Sequence, residues 1–160
     1  MGVAGAGKTT LGKALAEALN WPFVEGDDYH PPANKAKMAR GEALVDADRA
    51  PWLTALSQRM AALDGQSTDA IVACSALKER YRARLAEGVS DVRFVFLSGR
   101  PEAIARRIRE RQGHFMPPTL LESQLAALEP PEGAMRVAVE DTTDEQVRSI
   151  LRRITGGPCP

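Results

Sequence analysis

Gly2 to Thr9 reads G-V-A-G-A-G-K-T, and the helical pattern begins with no spacer behind it. No other feature restricts the fold of this chain as much. The spacing is G-x-x-x-x-G-K-[ST], a loop whose glycines let backbone N–H groups turn toward phosphate oxygens. The residues from Lys8 to Leu19 then place Leu11, Ala14, Leu15, Ala18 and Leu19 on one stripe, at i, i+3, i+4, i+7 and i+8. That is one half-buried helix, and its positive N-terminal end faces the loop. The pair specifies a nucleoside triphosphate as ligand. Gly2, Val3, Ala4, Gly5, Ala6, Gly7, Lys8, Thr9 and Thr10 form the nucleotide-binding set. Lys8 reaches the β- and γ-phosphates, and the Thr9 hydroxyl is placed to hold Mg²⁺.

The rest of the chain alternates between strand and helix. Short strands are expected at 21–24, 70–74, 92–97 and 136–140. The run Ala70-Ile71-Val72-Ala73-Cys74 has no alternation, as in a strand buried on both faces. Helices are expected at 34–40, from Asp48 as N-cap to Leu63, then at 78–87, 102–111, 120–128 and 145–154. Such alternation gives an α/β fold, a parallel sheet flanked by helices in three layers. It forms one domain over 1–154, with a frayed tail at 155–160.

Charge and cysteine content narrow the function. Lys+Arg and Asp+Glu both number 21, so no basic surface is available for wrapping nucleic acid. No apolar run is long enough to cross a membrane, and no leader pattern opens the chain. Two cysteines, Cys74 and Cys159, make neither a disulfide framework nor a zinc site. A reduced cytoplasmic protein is expected.

Ligands of open parallel sheets bind beyond the strands' carboxyl ends. Asp27, Asp28 and His30 follow the first visible strand, and Ser75 to Lys78 follow the second. Asp27 can orient a substrate hydroxyl toward a γ-phosphate. Asp28 and His30 serve equally well as ordinary loop groups. Arg49 and Lys78 are cations suited to an anionic acceptor. Arg106, Arg107, Arg109 and Arg111 share one helical stretch, with Arg107 and Arg111 four apart on one face, flanking the Ile104/Ile108 side. They suit a lid over transferring phosphates, at about 106–120, with His114 and Phe115 in its loop. Trp52 and Tyr81 are expected to pack.

Further blocks extend the pattern. They are E-G-D-D-Y-H-P at 25–31, N-K-A-K-M-A-R-G-E-A-L at 34–44 and D-A-D-R-A-P-W-L at 46–53. C-S-A-L-K-E-R-Y-R at 74–82, G-H-F at 113–115 and S-Q-L-A-A-L-E at 123–129 complete them. Taken in order, these resemble the small P-loop gluconokinases, of the adenylate-kinase and shikimate-kinase-like group. The resemblance implies ATP- and Mg²⁺-dependent phosphorylation of gluconate to 6-phosphogluconate, and a homodimer. On it, Lys8, Asp27, Arg107 and Arg111 are the catalytic groups. Asp27, His30, Arg49, Ser75 and Lys78 meet the acceptor, on helices spanning about 31–64 and the loop after the second strand. The family's D-G-D pattern here begins with Glu25. Relatives also place an apolar strand before the glycine loop, in mid-sheet, whereas one residue precedes Gly2 here. A sheet without that strand is expected to have two unpaired edges and a bare apolar surface. Two other readings stay open, a shikimate-type kinase and a non-catalytic nucleotide-binding homologue.

Overall fold

The computed structural model describes residues 1–110 and 118–154. Seven helices and four short strands occur among them. Helix α1 spans Lys8–Leu19, as the stripe predicts, and ends where Asn20 adopts φ 55°. Strand β1, Phe23–Glu25, runs into a 3-10 turn, Gly26–Tyr29. Then come α2 (Pro32–Ala39), α3 (Asp46–Asp64), β2 (Ile71–Ala73) and α4 (Glu79–Ala86). The last elements are β3 (Val95–Ser98), α5 (Pro101–Glu110), α6 (Pro118–Ala127), β4 (Met135–Ala138) and α7 (Thr143–Ile154).

Two helix starts differ from expectation. Asp48 does not cap α3; Val45 holds the N-cap position. Asp48 sits one turn inside and accepts the Val45 N–H at 3.0 Å, satisfying a donor that the helix leaves over. Asn34 does not open α2, which starts at Pro32, a residue that needs no N–H partner in the first turn. Asn34 instead lies buried inside that helix.

All strand pairs are parallel, but they form two sheets. One pairs β1 with β2, Val24 opposite Val72, and the other pairs β3 with β4, Phe96 opposite Arg136. Each half-sheet has its own core. Val24, Trp52, Leu53, Leu56, Leu63, Tyr81 and Leu85 pack on the first. Val3, Leu11, Leu15, Leu97, Ile104, Val137 and Ile150 pack on the second. Between them lies a cavity of about 440 Å³, bordered by Ile71–Ala73 on one side and Val92–Val95 on the other. Consequently Ile71 and Val72 are only half-buried, against the expectation of a strand covered on both faces. Met1 and Gly2 lie in the gap: Leu97 N–H donates to Met1 O at 3.0 Å, and Gly2 N–H donates to Ser75 O at 3.2 Å.

Candidate active site

The phosphate loop is fixed by its own contacts. Gly5 (φ 78°) and Gly7 (φ 98°) take left-handed conformations that a side chain would strain. A Cβ on Gly5 would also come 2.3 Å from Ile108 Cγ1, so α5 lies directly on the loop. Val3 and Ala6 are buried and anchor the loop in the second core. Three loop N–H groups are already engaged: Gly2 donates to Ser75 O at 3.2 Å, Ala4 to Gln124 Oε1 at 2.7 Å, and Ala6 to Val3 O at 3.3 Å. The cradle therefore narrows to Gly5, Gly7 and the first turn of α1. There Thr9 and Thr10 have no carbonyl one turn back within the helix. Such a helix end favours an anion.

Three side chains add charge and hydrogen-bonding capacity at this end. Lys8 Nζ lies 3.0 Å from Val3 O, folded back along its loop. A Cβ on Gly7 would be 3.4 Å from Arg107 Nη1, so the Arg107 side chain lies beside the loop. Arg106 and Arg109 are exposed. Arg111, His114 and Phe115 lie outside the described residues, as does part of the expected lid. The Thr9 hydroxyl donates to Glu25 Oε2 at 2.7 Å. Sequence reasoning treated Glu25 only as a family variation; here it joins the loop's hydroxyl to the strand that leads to Asp27.

Asp27 and Asp28 are exposed in the 3-10 turn after β1. The turn is held from below. Trp52 Nε1–H donates to Gly26 O at 2.7 Å, and the Trp52 ring stacks on His30 with centroids 4.4 Å apart. Trp52 thus packs, as expected, and also pins the residue before Asp27. His30 is 7 % exposed, and its Nδ1 lies 3.3 Å from Asn34 Nδ2. Burial pushes the His30 pKa below its usual 6.5, although Asp27 pulls the other way. Asn34 donates in addition to Asp48 O at 2.6 Å, which ties α2 to α3.

The two acceptor-side cations come together on the Tyr81 ring, Arg49 at 5.8 Å and Lys78 at 5.7 Å from its centroid. Lys78 also pairs with Asp46 at 3.1 Å, and the Tyr81 hydroxyl and Arg80 donate to the same carboxylate. Those hydrogen bonds, Tyr81's foremost, hold the Asp46 carboxyl well below the usual range. Asp46 is exposed, so the cluster remains open to exchange. Sequence reasoning did not single out Asp46. The loop from Ser75 to Lys78 is shaped by buried Arg82, which donates to both Ala76 O and Leu77 O at 3.1 Å. Burial pushes the neighbouring Cys74 thiol up to about 12, which makes it a packing group.

No helix among the described residues is long and apolar enough to cross a membrane. The sequence profile of the shikimate kinase family matches residues 4–154. A probable gluconokinase from Xenopus tropicalis is 43% identical over 171 residues, covering 98% of this chain and 90% of that protein. The gluconokinase of Gluconobacter oxydans (strain 621H) is 43% identical over 155 residues, covering 95% and 87%. The crystal structure of a gluconokinase from Sinorhizobium meliloti 1021 superposes with a TM-score of 0.89 at 44% identity, covering 98% of this chain and 89% of that one. This α/β P-loop chain belongs to the shikimate kinase family and, within it, to the gluconokinases.

Proposed function

We propose that this chain transfers the γ-phosphoryl group of ATP to gluconate, giving 6-phosphogluconate and ADP. Membership of the gluconokinases carries the choice of acceptor, and the observation that carries the geometry of transfer is the Thr9–Glu25 hydrogen bond. It joins the phosphate loop to the strand end that bears Asp27, two residues further on. Donor and acceptor groups are thereby set on connected backbone, as an in-line transfer between two bound substrates requires.

Asp27 accepts the hydrogen bond of the attacking hydroxyl. As the new O–P bond forms and the β,γ-bridging P–O bond breaks, the hydroxyl proton passes toward Asp27 and the electron pair leaves with ADP. Lys8 and Arg107 neutralise charge on the transferring oxygens, with Arg111 as a further cation from the lid. Arg49 and Lys78 meet the gluconate carboxylate, with Lys78 exchanging Asp46 for it. Ser75 and His30 complete the polar wall. The chain works as one domain, with 31–64 on the acceptor side.

The hydroxyl of Thr9 and the carboxylate of Glu25, both hard oxygen donors, suit Mg²⁺. Among the described residues no group of three or more His, Cys, Asp or Glu side chains gathers as an all-protein cage. Thr9 would hold the ion together with nucleotide oxygens, and Glu25 would orient Thr9. When bound, Mg²⁺ supplies charge neutralisation at the phosphates.

The test is coupled ADP release across gluconate, shikimate and other sugar acids. Turnover with gluconate is expected to dominate. Asp27→Asn should lose about 10²–10⁴-fold in kcat, the usual contribution of a positioned base. Full turnover in that variant would refute the role given to Asp27.

A further inference from the structure

Lys78 stands where a helix is poorly served by a lysine. It is the N-cap residue of α4, in extended conformation, and its side chain makes no cap hydrogen bond. A short oxygen-bearing side chain at such a position would accept an orphan N–H of the first turn, and an ammonium there opposes the helix dipole. The Lys78 side chain is turned instead to Asp46 Oδ1 at 3.1 Å and to the Tyr81 ring. The start of α4 therefore needs its acceptor from elsewhere.

Glu129 supplies it from 50 residues away, where its Oε2 accepts the Glu79 N–H at 2.6 Å. The backbone N–H of Glu129 donates to Leu77 O at 2.9 Å. Glu129 thus holds the chain on both sides of Lys78, once through its side chain and once through its backbone. Leu77 O also accepts from Arg82 at 3.1 Å, so both lone pairs of that carbonyl are used. Ala76, one residue earlier, takes φ 43°, a left-handed value that alanine adopts only when its surroundings impose it. The loop that delivers Lys78 is therefore held in place by groups outside it.

The clamp is joined to the phosphate loop. Glu129 lies just beyond α6, and Gln124 on that helix accepts the Ala4 N–H at 2.7 Å. One short stretch, 124–129, touches the phosphate loop at one end and the acceptor loop at the other.

We propose that Glu129 is a positioning residue for the acceptor: it caps α4 in place of Lys78 and fixes the backbone from which the Lys78 ammonium meets an anionic substrate. This role rests on the reading that Lys78 binds the gluconate carboxylate. Glu129 contributes an acceptor oxygen to the helix end and touches no substrate itself.

The test is steady-state ADP release, with gluconate and ATP varied in turn, for Glu129→Ala, Glu129→Gln, Lys78→Ala and the double variant Glu129→Ala/Lys78→Ala. Glu129→Ala should raise KM for gluconate about 5–10-fold, the loss of one helix cap, with kcat and KM for ATP within about twofold of the parent. Glu129→Gln keeps the acceptor oxygen and should restore KM for gluconate to within about twofold of the parent. Lys78→Ala should raise KM for gluconate, and adding Glu129→Ala to it should change nothing further, since no ammonium is left to place. Additive effects in the double variant would overturn the role, as would an equal rise in KM for ATP. An unchanged KM for gluconate in Glu129→Ala, beside a raised one in Lys78→Ala, would overturn the role of Glu129 alone. An unchanged KM for gluconate in Lys78→Ala would overturn the reading of Lys78, and the role of Glu129 with it.

Discussion

Trp52→Phe is the perturbation that most directly tests how the fold holds the acceptor side. Trp52 is 1 % exposed, donates from Nε1 to Gly26 O at 2.7 Å and stacks on His30 with an interplanar angle of 11°. Phenylalanine keeps a ring for the stack but removes the donor. Gly26 is itself buried, so its carbonyl is left without that partner. A buried acceptor orphaned in this way costs about 1–3 kcal/mol. The smaller ring leaves a void worth about 1 kcal/mol more. The total of about 2–4 kcal/mol corresponds to a fall in Tm of about 4–16 °C for a chain of this size. Gly26 precedes Asp27, so the turn bearing the proposed base loosens with it. Thermal unfolding and steady-state ADP release on the purified variant are the assays. The expected result is the Tm loss together with a several-fold lower kcat and an unchanged KM for ATP, since the phosphate loop sits on the other core. A Tm within about 2 °C of the parent would refute the reasoning, because it would mean that the Gly26 carbonyl finds another donor at no cost.

Glu25→Gln keeps an acceptor for the Thr9 hydroxyl and removes the charge; the Mg²⁺ concentration giving half-maximal activity should rise about 10–100-fold, as for other outer-shell changes, and an unchanged Mg²⁺ curve would contradict it. Gln124→Leu strips the acceptor from Ala4 N–H and should raise KM for ATP several-fold with a Tm loss of about 2–4 °C, whereas Gln124→Glu, which keeps an acceptor oxygen, should restore most of both. His30 is held neutral by burial below its usual 6.5, so from about that pH downward the unfolded chain binds a proton that the folded chain does not. Its contribution is complete above that pH and is lost as pH falls toward the folded pKa; urea midpoints should drop there, and less so in His30→Gln. The buried α-amino group acts in the same direction between 8.0 and about 5, so the difference between parent and variant isolates His30.

Local signals were read well from sequence, and long-range ones were not. Helix α1 runs from Lys8 to Leu19 as its stripe requires, because amphipathic period and loop both act within a few residues. The Arg107 side chain lies beside the phosphate loop, and its spacing to Ile104 and Ile108 puts it next to the apolar stripe. The α3 start moved to Val45 because Asp48, at N3, accepts the N–H of the N-cap residue, whereas an aspartate at the cap would accept from the N2 or N3 N–H. Periodicity names strands but not their partners, so it gave no sign that β1 pairs with β2 and β3 with β4. Gln124 to Ala4 spans 120 positions and Thr9 to Glu25 spans 16. Neither pair has a composition or spacing signal; Gln124 appears in sequence only inside a matched block.

The two cores give the site a specific dependence on one helix. The phosphate loop belongs to the β3–β4 core through Val3 and Ala6, and the turn with Asp27 belongs to the β1–β2 core through Trp52. Helix α1 spans them. Leu11 and Leu15 pack into the first group, while Gly12 faces β1 so closely that a Cβ there would lie 2.7 Å from Phe23 Cε2. A glycine inside a helix costs about 1 kcal/mol relative to alanine, so its presence here is explained by that approach and not by helix propensity. Thr9 sits one turn earlier on the same helix and meets Glu25 at the end of the same strand. The reach from donor to acceptor is therefore set by how α1 lies on β1. That contact couples the phosphate loop to the turn that bears Asp27.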